Sequence, residues 1–171
     1  MAAVDDSVYA DAVIGQAAEL VDLLSTDLIV LSVVDTDPMK TQNVAAETVQ
    51  FKTLHHRLLA KYLGESKLTK ESESPTDGLY RYQVKNEKVT IESKIMRGRP
   101  ADTICESAEK LDAFMVVVGR AGLGSIGAIV LEGFADQIVR RCPRPVLVVK
   151  SGEILGHELD EKRNSQFIGT R

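Results

Sequence analysis

The chain has 171 residues and a mass of 18.7 kDa, a length that fits one compact domain. With 44% hydrophobic and 27% charged residues, its composition is that of a folded globular protein and excludes disorder throughout the chain. A net charge of −4 and a pI near 5.4 argue against a nucleic-acid or membrane-surface binder, because neither surface attracts an acidic body.

The cysteine content and the lack of targeting signals indicate where the protein works. Cys105 and Cys142 stand far apart in the sequence and form no metal-ligand or redox spacing, so we expect buried, inert thiols at both positions. No apolar run is long enough to cross a bilayer, and the N-terminus lacks the pattern of a secretory signal. We therefore predict a cytoplasmic protein with no membrane partner.

In the first half of the chain, apolar runs alternate with helical patterns. Met1–Asp5 predicts the end of a short buried strand, which is expected to lack its first residues because strands usually run to about five or six. Helical spacing from Val13 onward predicts a helix, and the β-branched run Leu28–Val34 predicts a strand buried on both faces. A second helix is predicted over Thr41–Leu63, and the polar segment Glu65–Gly78 is expected to be an exposed loop. The inner face of this helix is expected to hold Val44, Val49, Leu54, Leu58 and Leu59.

The second half repeats this alternation and defines the fold class. Val89–Met96 predicts a third strand, Pro100 can open the next helix, and Phe114–Val118 predicts a fourth strand. A helix through about Arg141 and a fifth strand at Pro143–Val149 complete the pattern. Strands separated by helices predict a doubly wound, mostly parallel five-stranded sheet with helices on both faces. Residues 1–150 form this domain, and 151–171 are a polar tail.

Groups suited to ligand binding follow three of the predicted strands. Asp5, Asp35 and the glycine-rich stretch Gly119–Gly127 all come where a strand ends, and open sheets of this class bind ligands beyond the carboxyl ends of their strands. Glycine exposes backbone N–H groups to a phosphate, and Arg120 would add positive charge. The same stretch also fits a purely structural turn. It is neither a P-loop nor a dinucleotide fingerprint.

The remaining candidates point to no catalytic or metal-binding residues. His55 and His56 are adjacent on a predicted helix, so they point about 100° apart and cannot readily share one metal ion. We expect them to be a solvated or partly packed pair. The chain has no nucleophile-elbow pattern and no histidine near a strand end, which argues against a Ser-His hydrolase.

Several motifs, in order along the chain, resemble the universal stress protein family. The segments Gly119–Gly122 and Arg140–Lys150, with the helix between them, are similar to its C-terminal signature. Ala3–Ser7 resembles its first-strand ending, and Gly98–Ile104 resembles its turn into the third helix. The resemblance spans residues 1–150. It implies a Rossmann-like sheet of order 3-2-1-4-5 and a homodimer whose fifth strands meet through Val146, Leu147, Val148 and Val149.

The ATP-binding branch of this family has a motif that the chain matches only in part. The motif is Gly, two residues, Gly, nine residues, then Gly and Ser or Thr. Its first two glycines match Gly119 and Gly122, but Glu132 and Gly133 stand at the last two positions. A hydroxyl that would bond a phosphate is therefore missing. A carboxylate stands in its neighbourhood, and two like charges at about 4 Å repel by roughly 1 kcal/mol in water.

The adenosine half of the implied site is intact. Asp5 matches the acid that contacts adenosine in the family, and Val33 matches a residue whose backbone meets adenine. The resemblance thus implies a site for ATP or AMP, with or without magnesium. The implied site residues are Ala3, Asp5, Val33, Val118, Gly119, Arg120, Gly122, Gly133 and Phe134.

Two functions remain open at this stage. The first is a dimeric stress-response protein with an adenine nucleotide site, which catalyses at most a slow ATP hydrolysis. The second is a dimeric interaction or scaffold protein of the same fold that binds no nucleotide. Glu132 favours the second function, whereas Asp5 and Gly119 favour the first.

Overall fold

The computed structural model describes residues 1–37, 39, 43–65, 68–73, 80–84, 89–120 and 133–150. Its strands are β1 (Ala2–Ala3), β2 (Leu28–Asp35), β3 (Leu68–Glu73), β4 (Tyr80–Val84), β5 (Thr90–Gly98), β6 (Val116–Gly119) and β7 (Val146–Val149). Its helices are α1 (Ala10–Leu24), α2 (Val44–Leu59), which continues into a π-helical turn (Ala60–Gly64), α3 (Pro100–Lys110) and α4 (Phe134–Arg141).

The described strands form one sheet in the order β3-β4-β5-β2-β1-β6-β7. All pairings from β5 to β7 are parallel. These five strands are the predicted ones, and in chain order they give the arrangement 3-2-1-4-5. The predicted fold class is confirmed. The chain leaves β1 in one direction through β2 and β5, and then crosses back to β6 on the other side of β1.

Two antiparallel strands extend this sheet beyond the prediction. β3 pairs with β4, and β4 pairs with β5, both in antiparallel fashion. The expectation of a loop over Glu65–Gly78 is therefore wrong for Leu68–Glu73. This segment reads Leu-Thr-Lys-Glu-Ser-Glu and has no apolar alternation. Its strand is defined by backbone pairing at the end of the sheet, which a hydrophobic pattern cannot reveal.

The parallel strands bury both of their faces, as the apolar run in β2 predicts. Val30 and Val34 face a cluster formed with α1 and α2, which we call the α1–α2 cluster. Leu31 and Val33 face the opposite cluster, formed with α3 and α4, which we call the α3–α4 cluster. This alternation follows from the two-residue period of a strand, and it places a helical layer on each face of the sheet.

The inner face of α2 differs in part from the expectation. Asn43 caps the helix, its Oδ1 accepting from the backbone N–H of Ala46 at 3.0 Å. The buried face runs through Phe51, Leu54, His55, Leu58 and Leu59. Val49, predicted to face inward, is 63% exposed. His55 is completely buried, whereas the neighbouring His56 is exposed, so only His56 matches the expected solvated pair.

Candidate functional site

A narrow cleft opens where the strand order reverses, between the carboxyl ends of β1 and β6. In the parallel register, Ala3 lies opposite both Leu31 of β2 and Val118 of β6, so the chain beyond Ala3 emerges at the level of Gly119. In a doubly wound sheet this reversal point is the usual ligand position. Asp5 and Gly119 both line the cleft. Only about 20 Å³ of it is open to the centre of a water molecule.

The structure brings together some of the nine implied site residues and not others. Five of them line the cleft, namely Ala3, Asp5, Val33, Gly119 and Phe134. Val118 is fully buried in the α3–α4 cluster. Arg120 is exposed, and its backbone N–H donates to the carbonyl of Val149 at 2.9 Å. Gly122 and Glu132 lie outside the described residues.

Gly133 stands at the N-terminus of α4, next to the cleft residue Phe134. Its backbone N–H donates to Oδ2 of Asp136 at 3.2 Å. The first exposed donor of this helix is thus already bonded to a carboxylate, which also balances the positive end of the helix dipole. A phosphate at this helix end would compete with Asp136.

The carboxylate of Asp5 shapes the loop that leads into α1. Asp5 is only 9% exposed, and its Oδ1 accepts from the backbone N–H of Ser7 at 3.1 Å. The hydroxyl of Ser7 in turn accepts from the backbone N–H of Tyr9 at 3.4 Å. These bonds satisfy donors that precede the first helical turn, and they hold Ser7 and Tyr9 along the rim of the cleft.

The residue before Asp5 is fixed to β2 through both of its backbone groups. The N–H of Val4 donates to the carbonyl of Leu31 at 2.9 Å, and the carbonyl of Val4 accepts from the hydroxyl of Ser32 at 2.6 Å. Nε2 of His55 lies 2.8 Å from the same Ser32 oxygen, and Nδ1 lies 2.7 Å from the hydroxyl of Ser93. A buried chain of hydrogen bonds therefore connects α2 to the start of the cleft.

Hydrogen-bond accounting assigns the tautomer of His55. The single hydroxyl proton of Ser32 goes to Val4, so Ser32 must accept from Nε2–H of His55. Nδ1 then carries the lone pair and accepts from the hydroxyl of Ser93. Burial lowers the pKa of His55 to about 3, because the charged imidazolium would lose its hydration. The ring is neutral and acts as a rigid connector.

Some residues at the cleft were not anticipated from the sequence. Tyr9 and Ile104 line it, although neither is among the implied site residues. Their place follows from contact between elements distant along the chain. A signal was present only for Tyr9, which closely follows the strand-end Asp5.

Two further observations concern the described residues only. Within them, no group of three His, Cys, Asp or Glu side chains is arranged to hold a metal ion. No helix in this part of the chain combines the length and the apolar character needed to span a bilayer.

The fold and its cleft define a doubly wound, Rossmann-like α/β domain. A sequence model of the universal stress protein family matches residues 1–150. The chain belongs to the universal stress protein family.

Short segments of two named relatives are similar to this chain. "Universal stress protein in QAH/OAS sulfhydrylase 3'region" from Thermus aquaticus is 36% identical over 56 residues, which are 33% of this chain and 41% of that protein. Universal stress protein MJ0531 from Methanocaldococcus jannaschii is 37% identical over 62 residues, 36% of each protein. The chain therefore aligns with only about two fifths of the length of these relatives.

Solved structures are similar over most of the chain and show the fold. The universal stress protein UspA from Lactobacillus plantarum has a TM-score of 0.62 at 20% identity, covering 86% of this chain and 93% of its own. A universal stress protein in complex with cAMP has a TM-score of 0.56 at 18% identity, with coverages of 88% and 94%. The Archaeoglobus fulgidus protein in complex with dAMP has a TM-score of 0.57 at 18% identity, with coverages of 87% and 94%.

Proposed function

We propose that this universal stress protein binds an adenine nucleotide, ATP or AMP, in the cleft between β1 and β6. The observation that carries the proposal is that Asp5 and Gly119, far apart in sequence, line the same cleft at the reversal point of the sheet. Structural neighbours solved with cAMP and dAMP add support, because they have this fold.

The proposed roles follow from the chemistry of each side of the cleft. Asp5 offers carboxylate oxygens to the ribose hydroxyls, and the backbone of Val33 meets the adenine edge. Gly119 lets the phosphate chain approach without a Cβ in its path. Arg120, Gly122 and Gly133 would surround the phosphates, with magnesium where a triphosphate is bound. Ala3 and Val118 support the strand ends from below.

The narrowness of the cleft requires a side chain to move when a purine enters. About 20 Å³ of open space is close to the need of one water molecule. Tyr9 and Phe134 are partly exposed at the rim, so their displacement costs less than moving the buried residues beneath. We propose that one of these two rings swings aside and then packs against the base.

Thermal melting of the full chain tests this proposal. We expect ATP or AMP to raise the melting temperature, by an amount equivalent to about 2.7 kcal/mol at a hundredfold excess over the dissociation constant. Asp5→Asn should remove the response, because an amide is a weaker acceptor for ribose hydroxyls. Asp6→Asn is the matched control, since Asp6 is exposed and bonds Gln50 instead. An equal response in all three proteins would remove Asp5 from the site.

The second candidate function is a scaffold of the same fold that binds no nucleotide. The small open volume of the cleft is the observation that favours it. If neither ATP nor AMP at millimolar concentration, with or without magnesium, changes the melting temperature, the nucleotide proposal fails and the scaffold function stands.

We further propose that the protein acts in the reducing cytoplasm, where thiols remain free.

We also propose a homodimer that forms through β7. Within the described sheet, β7 pairs only with β6, which leaves its outer edge available to a second β7. Val146, Leu147, Val148 and Val149 are all half-buried. Val148→Asp should shift the mass measured by light scattering from dimer to monomer, because it brings an unpaired charge into the contact. An unchanged dimer mass would contradict this seam.

A further inference from the structure

The α3–α4 cluster contains both cysteines of the chain. Cys105 lies on α3 and is 7% exposed, while Cys142 follows the last turn of α4 and is half-buried. The backbone N–H of Cys142 donates to the carbonyl of Ile138 at 2.8 Å, which fixes its place at the helix end. Both side chains belong to this one packed cluster, and Cys142 is among the groups that raise the pKa of Cys105. Residues that the sequence separates are therefore neighbours in the fold.

An ion pair holds the two helices together beside these thiols. Asp102, one turn before Cys105 on α3, accepts from Arg141 at 3.0 Å. The other oxygen of Asp102 lies 3.0 Å from Nε of Arg99. Arg141 directly precedes Cys142, so this contact limits how far the two sulfur atoms can separate. A contact between α3 and the end of α4 therefore positions the two cysteines.

Small solutes can reach Cys105 through an open groove, and Cys142 from the surface. A groove of about 570 Å³ is lined by residues of α3 and α4, among them Thr103, Cys105, Glu106 and Arg141. Cys142 is itself partly exposed. A hydroperoxide is small enough to enter this groove.

We propose that Cys105 and Cys142 form a thiol-oxidation site that a hydroperoxide converts into an intrachain disulfide. The proposal is independent of nucleotide binding, because neither thiol lines the cleft between β1 and β6. It differs from the expectation of inert thiols, which rested on their separation in the sequence.

The reaction balances with one hydroperoxide. The sulfur of Cys142 attacks one peroxide oxygen, which forms an S–O bond, breaks the O–O bond and releases water once the leaving oxygen is protonated. The sulfur of Cys105 then attacks the resulting sulfenic acid, which forms the S–S bond and releases the second water. Two thiols are oxidised, and hydrogen peroxide is reduced to two waters.

The different environments of the thiols set the order of attack. Burial, together with the smaller effect of the neighbouring Cys142, raises the pKa of Cys105 to about 12, so Cys105 is rarely a thiolate at neutral pH. Cys142 is the more exposed of the two and reacts first. Cys105 then reacts within the same molecule, because it packs in the same cluster as Cys142.

Mass spectrometry of the full chain after hydrogen peroxide treatment tests the proposal. After unfolding and alkylation, we expect a monomer that has lost two hydrogens, carries no alkyl group and gives a linked peptide pair containing Cys105 and Cys142. The same treatment in urea should form this link at least about tenfold more slowly, because the native contact supplies a high effective concentration. Reduction should restore both alkylated thiols.

The variants Cys105→Ser and Cys142→Ser test which thiol reacts with the peroxide first. Cys105→Ser should accumulate sulfenic acid on Cys142, trapped by a dimedone probe, whereas Cys142→Ser should leave Cys105 unmodified at the same peroxide dose. If both thiols of the native wild type remain alkylatable, or if only disulfides between two chains form, the proposal is overturned. Link formation at equal rates in native and unfolded protein would also overturn it.

Discussion

The two faces of the sheet bury polar chemistry in different ways. On the face of the α1–α2 cluster, His55 has a hydrogen-bond partner at each ring nitrogen, Ser32 on β2 and Ser93 on β5. On the face of the α3–α4 cluster lies a pair of thiols, the buried Cys105 and the half-buried Cys142. In the first arrangement, both ring nitrogens of His55 already have hydrogen-bond partners. In the second, two S–H bonds can be exchanged for one S–S bond.

The cleft receives residues from both faces. Val4 is fixed by the hydrogen bonds of the His55 side, and the loop from Asp5 to Tyr9 by its own hydrogen bonds. Ile104 and Phe134 come from α3 and α4 on the other side. The comparison teaches that a rigid polar chain prearranges the β1 side of the cleft, whereas the side toward α3 and α4 combines apolar packing with the exposed ion pair between Asp102 and Arg141.

Replacing His55 should give the largest effect on stability. His55→Ala leaves a cavity and removes the partners of two buried hydroxyls, so we expect the free energy of unfolding to fall by about 4 kcal/mol. His56→Ala is a matched control on the next residue, which is exposed, and should change it by less than about 0.5 kcal/mol. Urea denaturation measures both. Equal effects would contradict the contrast between the buried and the exposed imidazole.

The pH dependence of stability should show a smaller effect, which also comes from His55 on the face of the α1–α2 cluster. The pKa of His55 is about 3 in the folded chain and 6.5 in the unfolded chain, so the unfolded chain binds the proton first as the pH falls. The stabilisation that this difference supplies is fully present above the pKa of the unfolded chain. It decreases as the pH falls below that pKa. Between about pH 7.5 and pH 5.5 the loss should be about 1.4 kcal/mol.

A second group contributes in the same direction, so a variant is needed to isolate His55. Burial lowers the pKa of the amine of Met1, which donates to the carbonyl of Met115 at 2.9 Å. His55→Gln keeps this amine and lacks the imidazole. The wild type should therefore lose about 1.4 kcal/mol more than His55→Gln over the same pH range, as measured by urea denaturation at each pH. Parallel curves for the two proteins would show that His55 is already protonated in the folded state.

The sequence predicts the parallel strands well and the polar contacts poorly, for a physical reason. β2 is buried on both faces and reads as a continuous apolar run, so its pattern alone identifies it. β3 is polar in sequence, and backbone pairing defines it. The strand order came from family resemblance, since hydrophobic periodicity says where strands are and not which strands are neighbours.

Among the candidate site residues, those that directly follow a strand were the easiest to predict from the sequence. Asp5 and Gly119 each follow a recognisable strand, and both reach the cleft. The partners of His55 are 23 and 38 residues away along the chain, and Cys105 and Cys142 come from two helices, so no local pattern could reveal these contacts. Long-range contacts depend on the whole fold.

A crystal structure of the full chain grown with saturating AMP tests the central claim most directly. The account predicts adenosine between the ends of β1 and β6, with ribose oxygens at Asp5, the adenine edge at Val33, and the ring of Tyr9 or Phe134 displaced. AMP bound elsewhere, or a cleft still closed between Asp5 and Gly119 at saturation, would contradict it.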